Sequence, residues 1–195
     1  MRLMSVILIF GSMSTMAAVS PVSIAIVPPI QFPPDSFNVA GLRASIIWGK
    51  HRSVYGLDIG AIGNITEQDF TGIGISGIFN YTKGTTTILG AQIAGIGNVN
   101  MNKTRVFGVQ VGLIGNYQTA ESFVAGIQVA SIANICPHTS IYGLQVGLYN
   151  KALAVYGFQI GLVNSATNVH GLQIGLINFH EKGLFVVSPI LNFGF

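Results

Sequence analysis

Gly143-Leu-Gln-Val-Gly-Leu-Tyr-Asn150, Gly157-Phe-Gln-Ile-Gly-Leu-Val-Asn164 and Gly171-Leu-Gln-Ile-Gly-Leu-Ile-Asn178 write one phrase three times. Looser copies begin at Gly56, Gly72, Gly90, Gly108 and Gly126, and Gly41-Leu-Arg-Ala-Ser45 is a degenerate ninth. From Gly56 onward the first glycines lie 16, 18, 18, 18, 17, 14 and 14 residues apart. A period this short is one supersecondary unit used repeatedly, so it decides the fold before any single residue does. Inside a copy the side chains alternate, with Leu172, Ile174 and Leu176 on one parity and Gly171, Gln173 and Gly175 on the other. That is the period of a strand. Segments so rich in Gly, Val and Ile also make poor helices.

Composition narrows the setting. Half of the residues are hydrophobic and only 8% are charged, against about 25% charged in ordinary soluble domains. After the first ten residues no apolar run reaches the roughly 18 residues of a spanning helix, because Gly, Gln, Asn or a charge interrupts each one. The other way to satisfy every backbone group in lipid is a closed β-barrel. Arg2, the apolar stretch Leu3 to Phe10 and the small-residue site Thr15-Met16-Ala17 read as a secretory signal over residues 1–17. Residues 18–37 carry most of the prolines and read as an extended arm, with room for an edge strand at Ser23 to Val27. Residues 38–195 then form one repeat domain. The single Cys136 excludes an internal disulfide, and a net charge of +3 without dense basic clusters argues against nucleic acid.

Polar breakers such as Lys50-His51-Arg52, Thr66-Glu67-Gln68-Asp69, Lys83-Gly84-Thr85 and Ser165-Ala-Thr-Asn168 read as turns. The stretches between them give about ten strands of about ten residues, the length of a tilted transmembrane strand. The expected fold is all-β, a transmembrane antiparallel β-barrel of about ten short-looped strands, with the repeat Asn marking each strand end. A β-solenoid is the alternative, with the Leu/Ile parity as a dry core and the Gln/Gly parity as its surface. The variable spacing favours the barrel, since a solenoid calls for a more constant coil.

In the barrel the third repeat position lines the inside. It reads Arg43, Asp58, Gly74, Gln92, Gln110, Gln128, Gln145, Gln159 and Gln173. Glutamines donate and accept, so neighbours satisfy one another in a dry interior. Arg43 and Asp58 fall at matching positions and are expected to pair, because an unpaired charge inside would be costly. The belt either fills the barrel or selects a solute as a porin-like channel does. Ile62, Ile78, Ile96, Ile114, Ile132, Val163 and Ile177 share the inward parity and favour filling. Tyr55, Phe107, Tyr142 and Tyr156 precede the repeat glycine, while Tyr81 and Tyr117 stand at the other strand end, as girdles at two membrane interfaces would. Turn parity assigns Lys50, Arg52, Lys83, Lys151 and Lys182, with Glu121 and Glu181, to an outer rim suited to lipopolysaccharide phosphates. The inner rim receives Lys103, Arg105, Glu67 and Asp69.

Catalytic signals are weak. Gly72-Ile-Gly74-Ile-Ser-Gly77 spells a dinucleotide fingerprint, but a turn precedes it and strand-like Ile78-Phe-Asn-Tyr81 follows where a helix is needed. His51, His138, His170 and His180 stand singly, without metal-ligand spacing. Glu67 and Asp69 read as a charged loop. Neither enzyme activity, cofactor nor metal is expected.

The tandem Gly-Leu-Gln-Ile-Gly-Leu-Ile-Asn, with the arm Val22-Ser-Ile-Ala-Ile-Val-Pro-Pro-Ile-Gln-Phe-Pro-Pro34 and Gly41-Leu-Arg43, resembles the surface-repeat outer-membrane proteins of spirochaetes and the related PopA-like proteins of predatory bacteria. Gly74 and Asp58 depart from the Gln position. The resemblance implies a bacterial outer-membrane β-protein without enzyme activity, whose protomers associate into rings enclosing lipid. The closing Ser188-Pro-Ile-Leu-Asn-Phe193-Gly-Phe195 resembles the C-terminal signal read by barrel-assembly machinery, with Ile190 where that signal usually has Gly. Three functions stay open: a structural or lipid-organising homo-oligomeric barrel, a porin-like channel, and a secreted or surface solenoid adhesin.

Overall fold

The structure is a computed structural model that describes residues 18–195; the expected signal peptide lies outside the described residues. Strands β1 (Val19–Val27) and β2 (Ile30–Phe32) come from the proline-rich arm. Then follow β3 (Asn38–Ser45), β4 (Trp48–His51), β5 (Val54–Gly60), β6 (Gly63–Thr66), β7 (Phe70–Ser76), β8 (Phe79–Thr82), β9 (Thr86–Ala94) and β10 (Gly97–Asn100). The rest are β11 (Thr104–Gly112), β12 (Gly115–Gln118), β13 (Ser122–Ala130), β14 (Ala133–Val146), β15 (Tyr149–Ile160), β16 (Val163–His180) and β17 (Val187–Gly194).

Every repeat runs in the same direction. Gly90 pairs with Gly108, Gly108 with Gly126 and Gly126 with Gly143, all in parallel register. Each repeat is therefore one coil of a β-solenoid, a long arm holding the phrase and a short arm holding its Asn. Nine glycines with positive φ, Gly41 to Gly171, mark nine coils. The antiparallel barrel is thus corrected to the solenoid. The physical reason is a second chain reversal inside each stretch that alternation reads as one strand. The stretch 104–117 contains β11, a bend at Leu113-Ile114 and the start of β12. At such bends the amides bond coil to coil, as in Ile114 N–H to Ile96 O at 2.8 Å and Ile132 N–H to Ile114 O at 3.1 Å.

The repeat glycine has a stacking reason. At Gly108, φ is 144°, a region that L side chains rarely adopt. A Cβ there would run into the carbonyl of Gly90 in the coil before. The whole ladder repeats this contact, so strands separated by about 4.8 Å close up without a side chain between them.

Coil length varies mainly at one place. From glycine to Asn the count is 7 (Gly157 to Asn164) or 8 (Gly108 to Asn116), whereas from Asn to the next glycine it runs from 7 (Asn150 to Gly157) to 10 (Asn98 to Gly108). The extra residues sit in the corner between a short arm and the following long arm. There Pro137-His138-Thr139 face the single Leu153, while Cys136 still pairs with Ala152 and Ser140 with Ala154. A solenoid thus tolerates uneven spacing, because loop length costs little once both ends are pinned.

Inside runs a column of apolar side chains in register, including Phe70, Ile88, Val106, Val124, Ile141 and Val155, none more than 1% exposed. The ends are capped differently. β1 lies parallel on β3 and β2 folds back antiparallel on β1. At the other end β17 reverses and pairs antiparallel with β16, matching Leu172 with Phe193 and Gln173 with Asn192.

Candidate functional interior and surface

The third repeat position points into the solenoid. Gln110, Gln128, Gln145, Gln159 and Gln173 are fully buried and Gln92 almost so. Each donates from Nε2 to Oε1 of the Gln one coil earlier, at 2.8 to 3.1 Å, from Gln173 back to Gln92. The belt runs along the axis as a ladder rather than around a lumen.

Its first members differ. Arg43 donates Nε to Asp58 Oδ1 at 2.7 Å and Nη2 to Oδ2 at 2.6 Å, a bidentate pair buried from solvent. Nη1 also donates to Ile65 O at 2.9 Å. Gly74 then leaves a gap, and the Phe70 ring lies against the place a Cβ would take. One aromatic ring so separates the ion pair from the amide ladder.

A second ladder went unread in the sequence. Asn64, Asn80, Asn98, Asn116, Asn134, Asn150, Asn164 and Asn178 are all buried. From Asn64 to Asn164, Nδ2 of each donates to Oδ1 of the Asn one coil later, at 2.8 to 3.1 Å. The same Nδ2 also donates to a main-chain carbonyl, for instance Asn116 to Val129 O at 2.9 Å. The available signal was the constant seven or eight residues from glycine to Asn. The two ladders run with opposite polarity along one axis.

Because Gln and Asn fill the inside, the Leu/Ile parity faces out. Leu57, Ile73, Phe158 and Leu176 are exposed. This reverses the faces of the solenoid as the sequence suggests them, where the Leu/Ile side is the core. Ile78, Ile96, Ile114, Ile132 and Ile177 also face outward. The two-residue bend breaks the alternation that placed them inside.

The rims are corrected too. In a parallel solenoid every corner of one kind falls on one edge. Among the described residues, apart from the buried Arg43–Asp58 pair and Asp35 of the arm, charged side chains lie at or within two residues of such a corner. Lys50, Arg52, Lys83, Lys151 and Lys182 therefore share one edge with Lys103, Arg105, Glu67, Asp69, Glu121 and Glu181. Lys50 reaches both Glu67 at 3.0 Å and Asp35 at 3.2 Å. Among the described residues the opposite edge, made of the bends, carries no charged side chain. An open apolar groove of about 560 Å³ runs along its last coils between Leu148, Leu162, Leu176 and the strand residues Ile160 and Ile174.

The aromatic residues form rows along the axis, not girdles at two heights. Tyr142 and Tyr156 stack at 4.3 Å and Tyr156 and His170 at 4.6 Å, while Phe123 joins Phe107 at 5.5 Å and Tyr142 at 4.9 Å. Tyr55 precedes Gly56 in the same row of positions, next to Ala40 and Thr71. Tyr81 and Tyr117 both flank Val99 on the short arms. Phe193 lies in the β17 cap and the Phe195 side chain is fully exposed.

Reactive groups are few. Burial pushes the Cys136 thiol up to about 12, so it stays protonated and inert. Gly72 to Gly77 belongs to β7 and the bend after it, with no helix following. Among the described residues no three His, Cys, Asp or Glu gather as a metal site would require.

The fold and its two surfaces define a β-solenoid of inverted polarity, amide ladders within and aliphatic side chains without. Comparison with protein-family models, curated proteins and solved structures found no match for this chain.

Proposed function

We propose that the chain is a non-enzymatic, lipid-contacting solenoid of the bacterial outer membrane, self-associating to organise lipid. One observation carries this reading: the outer surface is apolar over both arms and one edge, and the exposed charges of the coils gather on the other edge. Contiguous apolar surface beyond a few hundred Å² marks contact with lipid or protein. Charges on a single edge suit a body whose one side meets headgroups and water while the rest lies in hydrocarbon. The aromatic row beside that edge fits the interfacial level. Among the described residues, the outer edges of β1, β2 and β17 offer strand edges through which copies can join. The resemblance of the tandem phrase to surface-repeat outer-membrane proteins points the same way, and anionic lipopolysaccharide is a suitable neighbour for the cationic edge residues.

A secreted or surface solenoid adhesin is the second reading, favoured by the parallel solenoid architecture itself. A porin-like channel is disfavoured, because stacked side chains occupy the axis. Expression in a Gram-negative host, followed by fractionation and gel migration with and without boiling, separates the readings. Membrane-bound protein that needs detergent and runs as a large heat-sensitive species is expected. A monomer soluble without detergent would overturn the membrane reading in favour of the adhesin.

A further inference from the structure

On the charged edge, the corners of neighbouring coils leave a cleft of about 250 Å³. Lys103 and Arg105 line it from one coil, Glu121 and Ser122 from the next, and His138 from the one after. Among the described residues none of Lys103, Arg105 and Glu121 makes an ion pair. Both signs of charge therefore face one cleft without closing on each other. Ser122 Oγ accepts the Thr104 amide at 3.1 Å, which leaves its hydroxyl proton to donate elsewhere. Phe123, a lining residue, is also a member of the aromatic row between Phe107 and Tyr142. The cleft so joins a mixed-charge mouth to an aromatic and aliphatic flank.

We propose that this cleft holds the headgroup of a zwitterionic aminophospholipid, an inference that rests on the membrane reading. The phosphate lies against Lys103 and Arg105, where the guanidinium offers paired donors to its oxygens. The ammonium lies against Glu121 and over the Phe123 ring, the arrangement favoured by carboxylates and aromatic faces. Charge complementarity chooses this occupant. A doubly charged phosphate monoester meets Glu121 unfavourably, and a lone cation meets Lys103 and Arg105. A group carrying minus and plus a few ångströms apart satisfies all three. Its acyl chains then continue along the aliphatic faces below the aromatic row.

The test titrates the full chain in detergent micelles with dihexanoyl-phosphatidylethanolamine and, separately, dihexanoyl-phosphatidylglycerol, with far-UV circular dichroism to confirm folding. Saturable binding that prefers the ethanolamine probe is expected. The Lys103→Ala/Arg105→Ala double variant weakens it about tenfold or more, the effect of losing charge-assisted contacts. Glu121→Gln erases the preference between the two probes. Equal binding of both probes by the parent chain, or ethanolamine binding unchanged in the variants, overturns the site, as does displacement by inorganic phosphate alone. Vesicle flotation, run in parallel, reports on the membrane reading separately. A chain that floats but shows no saturable site retains that reading and loses this one, and a chain that binds the probe but does not float does the reverse.

Discussion

Arg43 and Asp58 show what a single position can do in a stacked fold. At a position occupied by glutamine in six later coils, these two place a bidentate ion pair out of water. Removing one partner strands the other charge, so Asp58→Ala should cost about 3–5 kcal/mol of stability. Replacing both, as Arg43→Met with Asp58→Leu, should recover most of that loss, because an apolar pair needs no desolvation to be repaid. Denaturation of both variants decides it; equal losses would mean that the pair adds nothing beyond packing. Nearby, His51 is fully buried, with Nε2 at 3.3 Å from both Ser23 Oγ and Pro33 O. Burial first, then the Arg43 charge, lowers its pKa from 6.5 to about 4. The unfolded chain takes up the proton before the folded one does. His51 therefore contributes full stability above pH 6.5, and that contribution falls as pH drops from there toward 4. Trp48, in the same short arm, is the only tryptophan and reports the change. Acid titration of its fluorescence should show loosening of the N-terminal cap in that window, and His51→Gln should flatten it. An unaltered curve in the variant would assign the transition elsewhere.

At the scale of the element, the arms are held by amides stacked on amides. Gln128 sits mid-ladder, donating to Gln110 at 2.9 Å and accepting from Gln145 at 3.1 Å. Gln128→Ala removes both ladder bonds and the weak one that Cys136 Sγ donates to Oε1, leaves the Gln145 amide unpaired and opens a cavity. A loss of roughly 2–4 kcal/mol is expected in thermal or denaturant unfolding. Ile127→Ala, one residue away on the outer face, should cost under about 1 kcal/mol in detergent, where its surroundings stay apolar. If the two cost the same, the ladder is not what holds the coil. The arms also show how far the sequence could be read. Alternation identified strands, and parity put Gln and Leu on opposite sides. It could not reveal direction, because period two is the same in parallel and antiparallel sheets. Nor did it register the bends. Leu113-Ile114 and Leu162 are as aliphatic as the strands they join, so nothing polar marked the turn between β11 and β12 or inside the Gly157 phrase. The corners of the other edge are legible because polar residues, many of them charged, mark them, but they are only half of the turns.

For the whole molecule, that missed reversal decides where every charge lies. A barrel alternates its loops between two rims, whereas a solenoid stacks them on one, so the same residues give either a protein with two wet ends or one with a single wet edge. The ladders of Gln and Asn share the interior with one column of apolar side chains, and the Leu/Ile side chains of the repeat phrase stand outside. The bend edge is the most direct test of where that exterior resides. Ile114 and Leu162 stand exposed there in separate coils, far from any charged corner. In hydrocarbon, a carboxylate at such a place costs on the order of 2.5–3.5 kcal/mol; in water it costs almost nothing. Ile114→Glu with Leu162→Glu should therefore leave the β-sheet circular dichroism intact while abolishing flotation with vesicles. Lys83→Glu, on the charged edge, should leave flotation nearly unchanged. Should the double variant float as well as the parent, the bends lie in water, and the aliphatic surface must be covered by protein instead of lipid.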